Sequence, residues 1–542
     1  MVRSLLSIST ITFRLIKKNK KDFYKPNLID AEIDKKPLVY ILKKGNNIYV
    51  GETTNVYTRM TSHIKEKDFT DVFLFVSPKF NESSIKHIET LLINYLSSDE
   101  KYYLLNKNGG NSITEYDGIE QTKDLFPEIW ESLIEEGIAT ESIKDIQNKF
   151  IFKYSPFKNL SVEQRNVIND VIYNLLVNNK SRQVVSGEPG TGKSVVLTTI
   201  LHQMVCDKEV ETEHIALIIP QTHLLKSYKL LIEKIGLRGI EVFTPAKFIK
   251  QNKKYRYVFV DESHRLKQYF GKQAGFLNHI KTKDGWSNEL ERISNISYHL
   301  VLIYDKYQSI RPADIDEDVF AEEFRTYKKY YLRQQFRLKS GKEYLAWLRK
   351  YLQITEDEVV YDEGILNGYD FQIVDSITTL FEKITELNDQ NKLSRVVSGY
   401  AWKWKTKSSK DNHLFDIFDG DKGYKWNSKI ENWINTESSS KEIGCIHTIQ
   451  GADLNYVGII FGEELVYNPT TNKIEVIREN YFDRNGSTIK SKDKNNEELL
   501  KYIKNIYYVH LSRGIDGCYI YVANPELKDY LKGIVVRSIQ KS

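Results

Sequence analysis

Apolar positions along the chain fall into two regimes. From Pro37 onward, PLVYILKKGNNIYVG sets two β-rich runs around a Gly-Asn-Asn turn, the pattern of a hairpin. VYTRMTSHIKEK then has helical character, DVFLFVSP reads as another strand, and ESSIKHIETLLINYLSS puts Ile85, Ile88, Leu91, Leu92 and Leu96 on one helical face. These elements predict a small α/β module over residues 36–115. A polar, basic lead-in over 1–35 precedes it and a polar, acidic linker over 116–155 follows.

The second regime consists of short continuous apolar runs, each followed by a polar loop and a helical segment: QVVSG, IALIIP, YVFVDE, LVLIYD, RVVSGYAW, EIGCIHT, VGIIFG and CYIYVAN. A strand without polar alternation is buried on both faces, which predicts doubly wound parallel sheets. The remaining chain accommodates two, one over 156–335 and one, with accessory segments, over 336–542. No fixed-period repeat occurs. KSKDKNNEE near residue 490 reads as a solvated loop, and residues 463–500 as an insertion to which the sequence gives no role.

Composition narrows the class. A chain of 542 residues exceeds what one core holds, and 41% apolar with 28% charged residues is ordinary globular composition. The formal net charge of +5 neither demands nor excludes a nucleic-acid partner. Cys206, Cys445 and Cys518 lie far apart without metal-ligand spacing, as expected of a reducing compartment. The apolar stretch Leu5 to Leu15 is broken by polar residues and trailed by KKNKK, unlike a signal peptide, and no run is long enough to span a membrane. A cytoplasmic location is the expectation.

GEPGTGKS, Gly187 to Ser194, satisfies G-x-x-x-x-G-K-[ST] between a strand and a helix. In such a loop Gly187, Gly190 and Gly192 let backbone N–H groups cradle phosphates, Lys193 reaches the β- and γ-phosphates of ATP, and Ser194 ligates Mg²⁺. YVFVDESH supplies the acids this loop lacks: Asp261 for the Mg²⁺ shell and Glu262 to polarise the attacking water.

These two motifs alone admit any P-loop NTPase, and further segments are more selective. SVEQRNVI carries Gln164, LVLIYDKYQ ends in Asp305 and Gln308, and YYLRQQFR ends in Arg337; IHTIQGADLNYVGIIFG and YYVHLSRGIDGCYIYV follow. Their order resembles the motif series of superfamily 1 helicases, and in detail the Schlafen-like DNA/RNA helicase family, over roughly residues 155–535. The resemblance implies two RecA-like lobes. Gln164 would contact adenine, Gln308 would sense the γ-phosphate, and Arg337 and Arg513 would be arginine fingers from the second lobe. Gln450, Gly451 and Asp453 would couple nucleotide state to the strand groove, and Thr448 would donate to a nucleic-acid phosphate. Ala452-Asp453 replaces the glycine- or leucine-glutamate common in related motors. The short interval from Ser194 to Asp261 leaves little room for an inserted subdomain, so translocation is a safer expectation than processive unwinding.

YAWKWKTK alternates Trp402 and Trp404 with Lys403 and Lys405. It reads either as a base-stacking, phosphate-binding strip or as a strand edge with tryptophans inward and lysines outward.

In the amino-terminal module Tyr40 (in LVY) and Tyr49 (in YVG) are followed by Arg59, His63, Glu89 and Asn106. Strand tyrosines alone are packing residues, and a helical glutamate alone is a solvated one; the ordered set is what singles them out. It resembles the GIY-YIG nuclease domain over about residues 36–115. The resemblance implies Glu89 as the sole carboxylate ligand of a divalent ion (Mg²⁺ or Mn²⁺), Arg59 on the scissile phosphate, Tyr40 or His63 aiding deprotonation of water, and Tyr49 and Asn106 positioning the site.

The leading expectation is therefore an ATP-driven nucleic-acid motor coupled to an endonuclease. DNA is favoured over RNA, with a role in defence against foreign DNA or in repair. A homo-oligomer or a defence partner protein is compatible with that architecture. The rival is a nucleotide-gated binding module that recruits a separate effector and does not cleave. A small-molecule P-loop kinase is disfavoured by the QGAD and LSRG segments.

Overall fold

The computed structural model describes residues 13–24, 33–106, 109, 116–268, 285–355, 364–408, 413–429, 433–449, 451–483 and 496–538. The chain forms two compact units. One comprises Met1–Arg165, Thr198–Thr212 and Ser227–Gly239; the other comprises Asn166–Leu197, Glu213–Lys226 and Ile240–Ser542.

The first unit contains strands β1 (Arg14–Asn19), β2 (Leu38–Lys44), β3 (Asn47–Thr53), β4 (Asp71–Val76) and β5 (Tyr103–Leu104), in the order β1-β4-β2-β3-β5. β2 and β3 form the expected hairpin, with Tyr40 opposite Gly51 and Leu42 opposite Tyr49. Because side chains alternate across a strand, Leu38, Tyr40 and Leu42 share one face, where they pack with Val56 and Met60 of the helix Val56–Glu66. Asn55 caps that helix by accepting from Thr58 N–H, and an Asn81–Ser84 capping box starts the helix Glu82–Asp99.

Two expectations are corrected here. The basic lead-in contains β1, which pairs antiparallel with β4 from Arg14↔Val76 to Asn19↔Asp71, so its lysines dress a sheet edge. The expected linker is helical over Ile119–Glu135, Ile143–Asn148 and Phe150–Lys153. Leu125, Phe126, Ile129, Trp130 and Leu133 recur at helical spacing and are buried, and Tyr95 of the preceding helix lies 5.3 Å from the Trp130 ring.

The second unit holds two all-parallel sheets. The first contains β6 (Ser181–Gly187), β7 (Ile215–Ile218), β8 (Glu241–Phe243), β9 (Tyr257–Val260), β10 (His299–Tyr304) and β11 (Lys328–Leu332), ordered β11-β6-β10-β9-β7-β8. The second contains β12 (Asp370–Ile373), β13 (Arg395–Ser398), β16 (Ile443–Gly444), β17 (Leu454–Phe461) and β20 (Gly514–Val522), ordered β12-β20-β17-β13-β16. Two small hairpins, β14 (Ile417–Asp419) with β15 (Lys422–Tyr424) and β18 (Leu465–Asn468) with β19 (Lys473–Val476), stand apart from these sheets. The latter hairpin occupies the start of the segment expected as an insertion. The loop expected near residue 490 lies mostly outside the described residues. Among the described residues no helix is long and apolar enough to cross a membrane.

Candidate functional site

Open parallel sheets present ligand-binding loops at the carboxyl ends of their strands. β6 and β9 flank β10, so the loops after Gly187, Val260 and Tyr304 converge. Gly190 (φ +83) and Gly192 (φ +80) take left-handed backbone in the phosphate-binding loop, and a Cβ on Gly190 would stand 2.0 Å from Gln335 Oε1. Lys193 Nζ donates to Gly187 O (2.7 Å), Glu188 O (2.9 Å) and Asp305 Oδ2 (3.0 Å). Ser194 Oγ donates to Asp261 Oδ2 at 3.0 Å. A hydroxyl and a carboxylate at that separation are hard oxygen donors that fit Mg²⁺.

Glu262 follows in a left-handed conformation (φ 50, ψ 44), with its carboxylate 2.9 Å from His264 Nε2. Burial alone would push its carboxyl up; His264, then Lys193 and Arg513, outweigh burial and hold it below the usual carboxylate range. A carboxylate kept ionised there can accept a proton from water or orient it.

Neighbouring strands of the other sheet bring one carboxylate and one cation to the same place. β17 and β20 start side by side, with Leu454 opposite Gly514, so Asp453 and Arg513 immediately precede paired strands. Arg513, 2% exposed, donates to Gln308 Oε1 at 3.0 Å and Ala452 O at 3.3 Å, while Gln308 Nε2 donates to Asp305 Oδ2 at 2.7 Å. Arg337 lies 2.7 Å from Asp453 Oδ1, and Phe336 N–H donates to Gly190 O at 2.9 Å. The structure thus brings Lys193, Ser194, Asp261, Glu262, Gln308, Arg337, Asp453 and Arg513 into one site. Gly451 (φ +81) packs against Leu224, whose Cδ1 would be 2.8 Å from an added Cβ. Gln450 lies outside the described residues. Gln164 belongs to the first unit, where its Oε1 accepts from Ser161 N–H and Ser161 Oγ accepts from Gln164 N–H.

Sequence reasoning missed one pair. Arg349, from the helix Gly341–Tyr351, forms an ion pair with Glu188 in the phosphate-binding loop. Burial raises the Glu188 carboxyl pKa, and Arg349 opposes that rise. Glu188 occupies a variable position of its motif, so no sequence signal pointed to it.

A cavity of about 840 Å³ opens within the second unit, between residues that follow strands of one sheet (Gln221, Arg311) and residues of the other (Trp404, Thr448). The strand carrying RVVS ends at Ser398, so the Trp-Lys alternation lies in a loop. Trp402 and Trp404 are half-buried against the core of the second sheet, Lys403 and Lys405 are exposed, and Lys407 Nζ sits 4.9 Å from the Trp404 ring centroid. Both tryptophans also line the cavity. Thr448 is buried, and its hydroxyl donates to Asn427 Oδ1 (3.0 Å) and accepts from Cys445 N–H (3.0 Å).

In the first unit the hairpin gathers a second cluster. Tyr40 is fully buried; its hydroxyl lies 2.7 Å from His63 Nε2 and accepts from Arg59 Nε at 3.1 Å. The Tyr49 ring packs edge-on to His63 at 5.5 Å. Gly51 makes this possible, because a Cβ there would lie 2.3 Å from the Tyr40 hydroxyl. Burial, then Arg59 and Lys67, lower the His63 pKa to about 4, so its imidazole is neutral near pH 7. Burial, then Glu52, raise Glu89 to about 7, against the pull of Arg59. Glu52 is a neighbour that the sequence did not single out. Asn106 clasps Val50, accepting from its N–H (2.9 Å) and donating to its carbonyl (2.8 Å). Among the described residues no group of three or more His, Cys, Asp or Glu gathers as a metal site.

A family model described as Schlafen group 3, DNA/RNA helicase domain, matches residues 180–524. The uncharacterized protein YPL245W of Saccharomyces cerevisiae is 27% identical over 397 residues, spanning 64% of this chain and 83% of that protein. S. cerevisiae Dbp5 bound to RNA and ADP BeF3 aligns over 73% of this chain and 92% of its own, at 12% identity and a TM-score of 0.31. Pif1 helicase from Candida albicans aligns over 70% of this chain and 100% of its own, at 13% identity and a TM-score of 0.29.

Proposed function

The chain belongs to the Schlafen group 3 DNA/RNA helicase family, and on that premise we propose that ATP hydrolysis around Lys193 drives movement along nucleic acid, with DNA preferred to RNA. The observation that carries this reading is the meeting of Lys193, Asp305, Gln308 and Arg513 in one hydrogen-bonded chain that joins the two parallel sheets. Phosphoryl transfer is mainly positioning and charge stabilisation, and cations from a second lobe complete the site only when both lobes close on the triphosphate. Ser194 and Asp261 would hold Mg²⁺, which would supply positive charge to offset the negative charge developing on the transferred phosphoryl group. Glu262 orients the attacking water, Lys193, Arg337 and Arg513 hold the γ-phosphoryl oxygens, and Gln308, bonded to Arg513, senses the γ-phosphate. ATPase assays with and without single-stranded DNA and RNA test this reading. Turnover should rise with nucleic acid and vanish in Lys193→Ala, and a turnover indifferent to both would overturn it.

The same proposal extends to the hairpin module as a GIY-YIG endonuclease, which would suit defence against foreign DNA. Arg59 would grip the scissile phosphate, while the neutral His63 would accept, through Tyr40, the proton of the attacking water. Burial and Glu52 disfavour a charged Glu89 on its own, a disposition that a divalent cation relieves. Supercoiled plasmid and branched DNA incubated with Mg²⁺ or Mn²⁺ and ATP should be cut by wild type and left intact by Glu89→Ala. If neither protein cuts while both bind, the module recruits rather than cleaves.

A further inference from the structure

We propose that the 840 Å³ cavity takes a single nucleobase turned out of the strand that the second unit tracks, an inference that rests on the nucleic-acid reading above. Its volume lies within the range of about 300–1,000 Å³ typical of small-ligand pockets. Its walls are aromatic: the Tyr400 and Trp426 rings are 4.9 Å apart, Trp404 and Trp426 are 6.1 Å apart, and Tyr481 lies 6.4 Å from Tyr400. A base stacks on such faces whatever its identity.

The polar atoms of the lining are more selective. Asn427 is 1% exposed, and its Oδ1 accepts from Thr448, yet its Nδ2 has no hydrogen-bond partner. The Tyr481 hydroxyl, Trp404 Nε1 and both amide atoms of Gln221 are likewise buried without a partner, and all four residues line the cavity. Buried donors and acceptors are almost always satisfied, so a cluster of orphans around one space indicates a ligand with polar edges.

Charge favours a base over a phosphate inside. Arg265 is paired with Asp314, Arg311 contacts His447, and Asp483 adds a carboxylate to the lining. Burial, with Arg311 and Arg265, lowers the His447 pKa to about 4 against the pull of Asp483, so His447 brings no charge near pH 7. Of the exposed cations in the lining, Lys403 and Lys407 belong to the Trp402–Trp404 loop and Lys267 follows β9, where they suit the phosphates flanking a turned-out base.

The test is an abasic scan by fluorescence anisotropy on the full chain, in which single bases of a single-stranded oligonucleotide are replaced by an abasic sugar without changing its phosphates. One position should weaken wild-type binding about tenfold, the scale of one stacked base. Trp404→Ala and Asn427→Ala should bind the intact strand as weakly as the abasic one, and Trp404→Phe should restore the difference. A wild type indifferent to every abasic position overturns the pocket while leaving strand binding intact, and it needs no variant to fold. Absence of binding to any strand overturns both readings. Displacement of the pocket base by free nucleoside monophosphate at micromolar concentration overturns the proposal too, because it makes the cavity a mononucleotide site.

Discussion

Gly51→Ala puts a methyl group 2.3 Å from both Cζ and the hydroxyl oxygen of Tyr40 and 2.8 Å from its Cε2. Carbon contacts become favourable at about 3.5–4.0 Å, so the ring must retreat by about 1 Å or more. It has nowhere easy to go: Tyr40 is fully buried, and its hydroxyl is tied to His63 Nε2 at 2.7 Å and Arg59 Nε at 3.1 Å. A retreat of that size stretches both bonds beyond the usual limit of about 3.2 Å. Overpacking costs about 1–3 kcal/mol and an orphaned buried hydroxyl about 1–3 kcal/mol more, so the first unit should lose roughly 2–6 kcal/mol. Where enough folded protein remains, a displacement of about 1 Å at a reacting group should lower cleavage about a hundredfold. Urea unfolding followed by a first-unit tryptophan such as Trp130, with cleavage and ATPase assayed in parallel, separates the effects. Unfolding within about 0.5 kcal/mol of wild type would refute the packing argument. A variant with the expected loss of stability that still cuts at the wild-type rate would refute the role given to Tyr40.

Arg513→Ala should lower the ATPase kcat about a thousandfold or more while nucleotide is still bound, as for loss of an arginine finger; steady-state kinetics with a fluorescent ATP analogue check both, and a loss below tenfold removes the assignment. Glu89, raised to about 7, must lose a proton to hold a cation, so the Mn²⁺ concentration giving half-maximal cleavage should climb as pH falls through 7, by up to about tenfold per unit; a flat profile contradicts the ligand role. Without the ion, the same raised pKa gives stability that is complete below the ordinary value of 4.5 and lost as pH rises through about 7, so metal should stabilise the first unit most at alkaline pH. Trp130→Ala should cost about 3–5 kcal/mol in chemical denaturation, whereas a true linker would tolerate it.

The eight apolar runs read from the sequence all became strands because double-sided burial leaves no polar alternation to obscure them. β8, β11 and β12 escaped notice for the complementary reason: Lys328, Lys329 and Tyr331 of β11 are exposed, and β8 and β12 are short and partly polar. In the stretch expected as a linker, acidic residues on the solvent side masked the spacing of Leu125, Ile129 and Leu133. The Trp402–Trp404 alternation was legible, yet the strand ends before it. Gly399 fits beside Glu464 and Tyr507, each with a side-chain atom 2.5 Å from where its Cβ would stand. The phosphate-binding and acidic motifs were legible because their chemistry fixes residue types at fixed spacing. Partnerships such as Glu188 with Arg349 depend on which sheet strands lie side by side, which local pattern does not encode.

Those partnerships also account for a departure in the motif series, the aspartate in QGAD. Asp453 directly precedes β17, beside the residue preceding β20, and from there it reaches Arg337. Three cations around the phosphate-binding loop are each matched by a carboxylate: Lys193 by Asp305, Arg337 by Asp453 and Arg349 by Glu188. On the proposed function, an incoming triphosphate competes with these acids for the same cations. Each exchange frees a carboxylate in a largely buried site, where an unpaired charge is costly. Relief comes only if the elements carrying those acids shift or take new partners. Asp453 and Arg349 belong to elements associated with the second sheet, so the exchange of protein carboxylate for phosphate is itself a force on that lobe. Nucleotide state is then transmitted by swapping ion-pair partners, and the position next to Ala452 requires an acid whose reach matches Arg337.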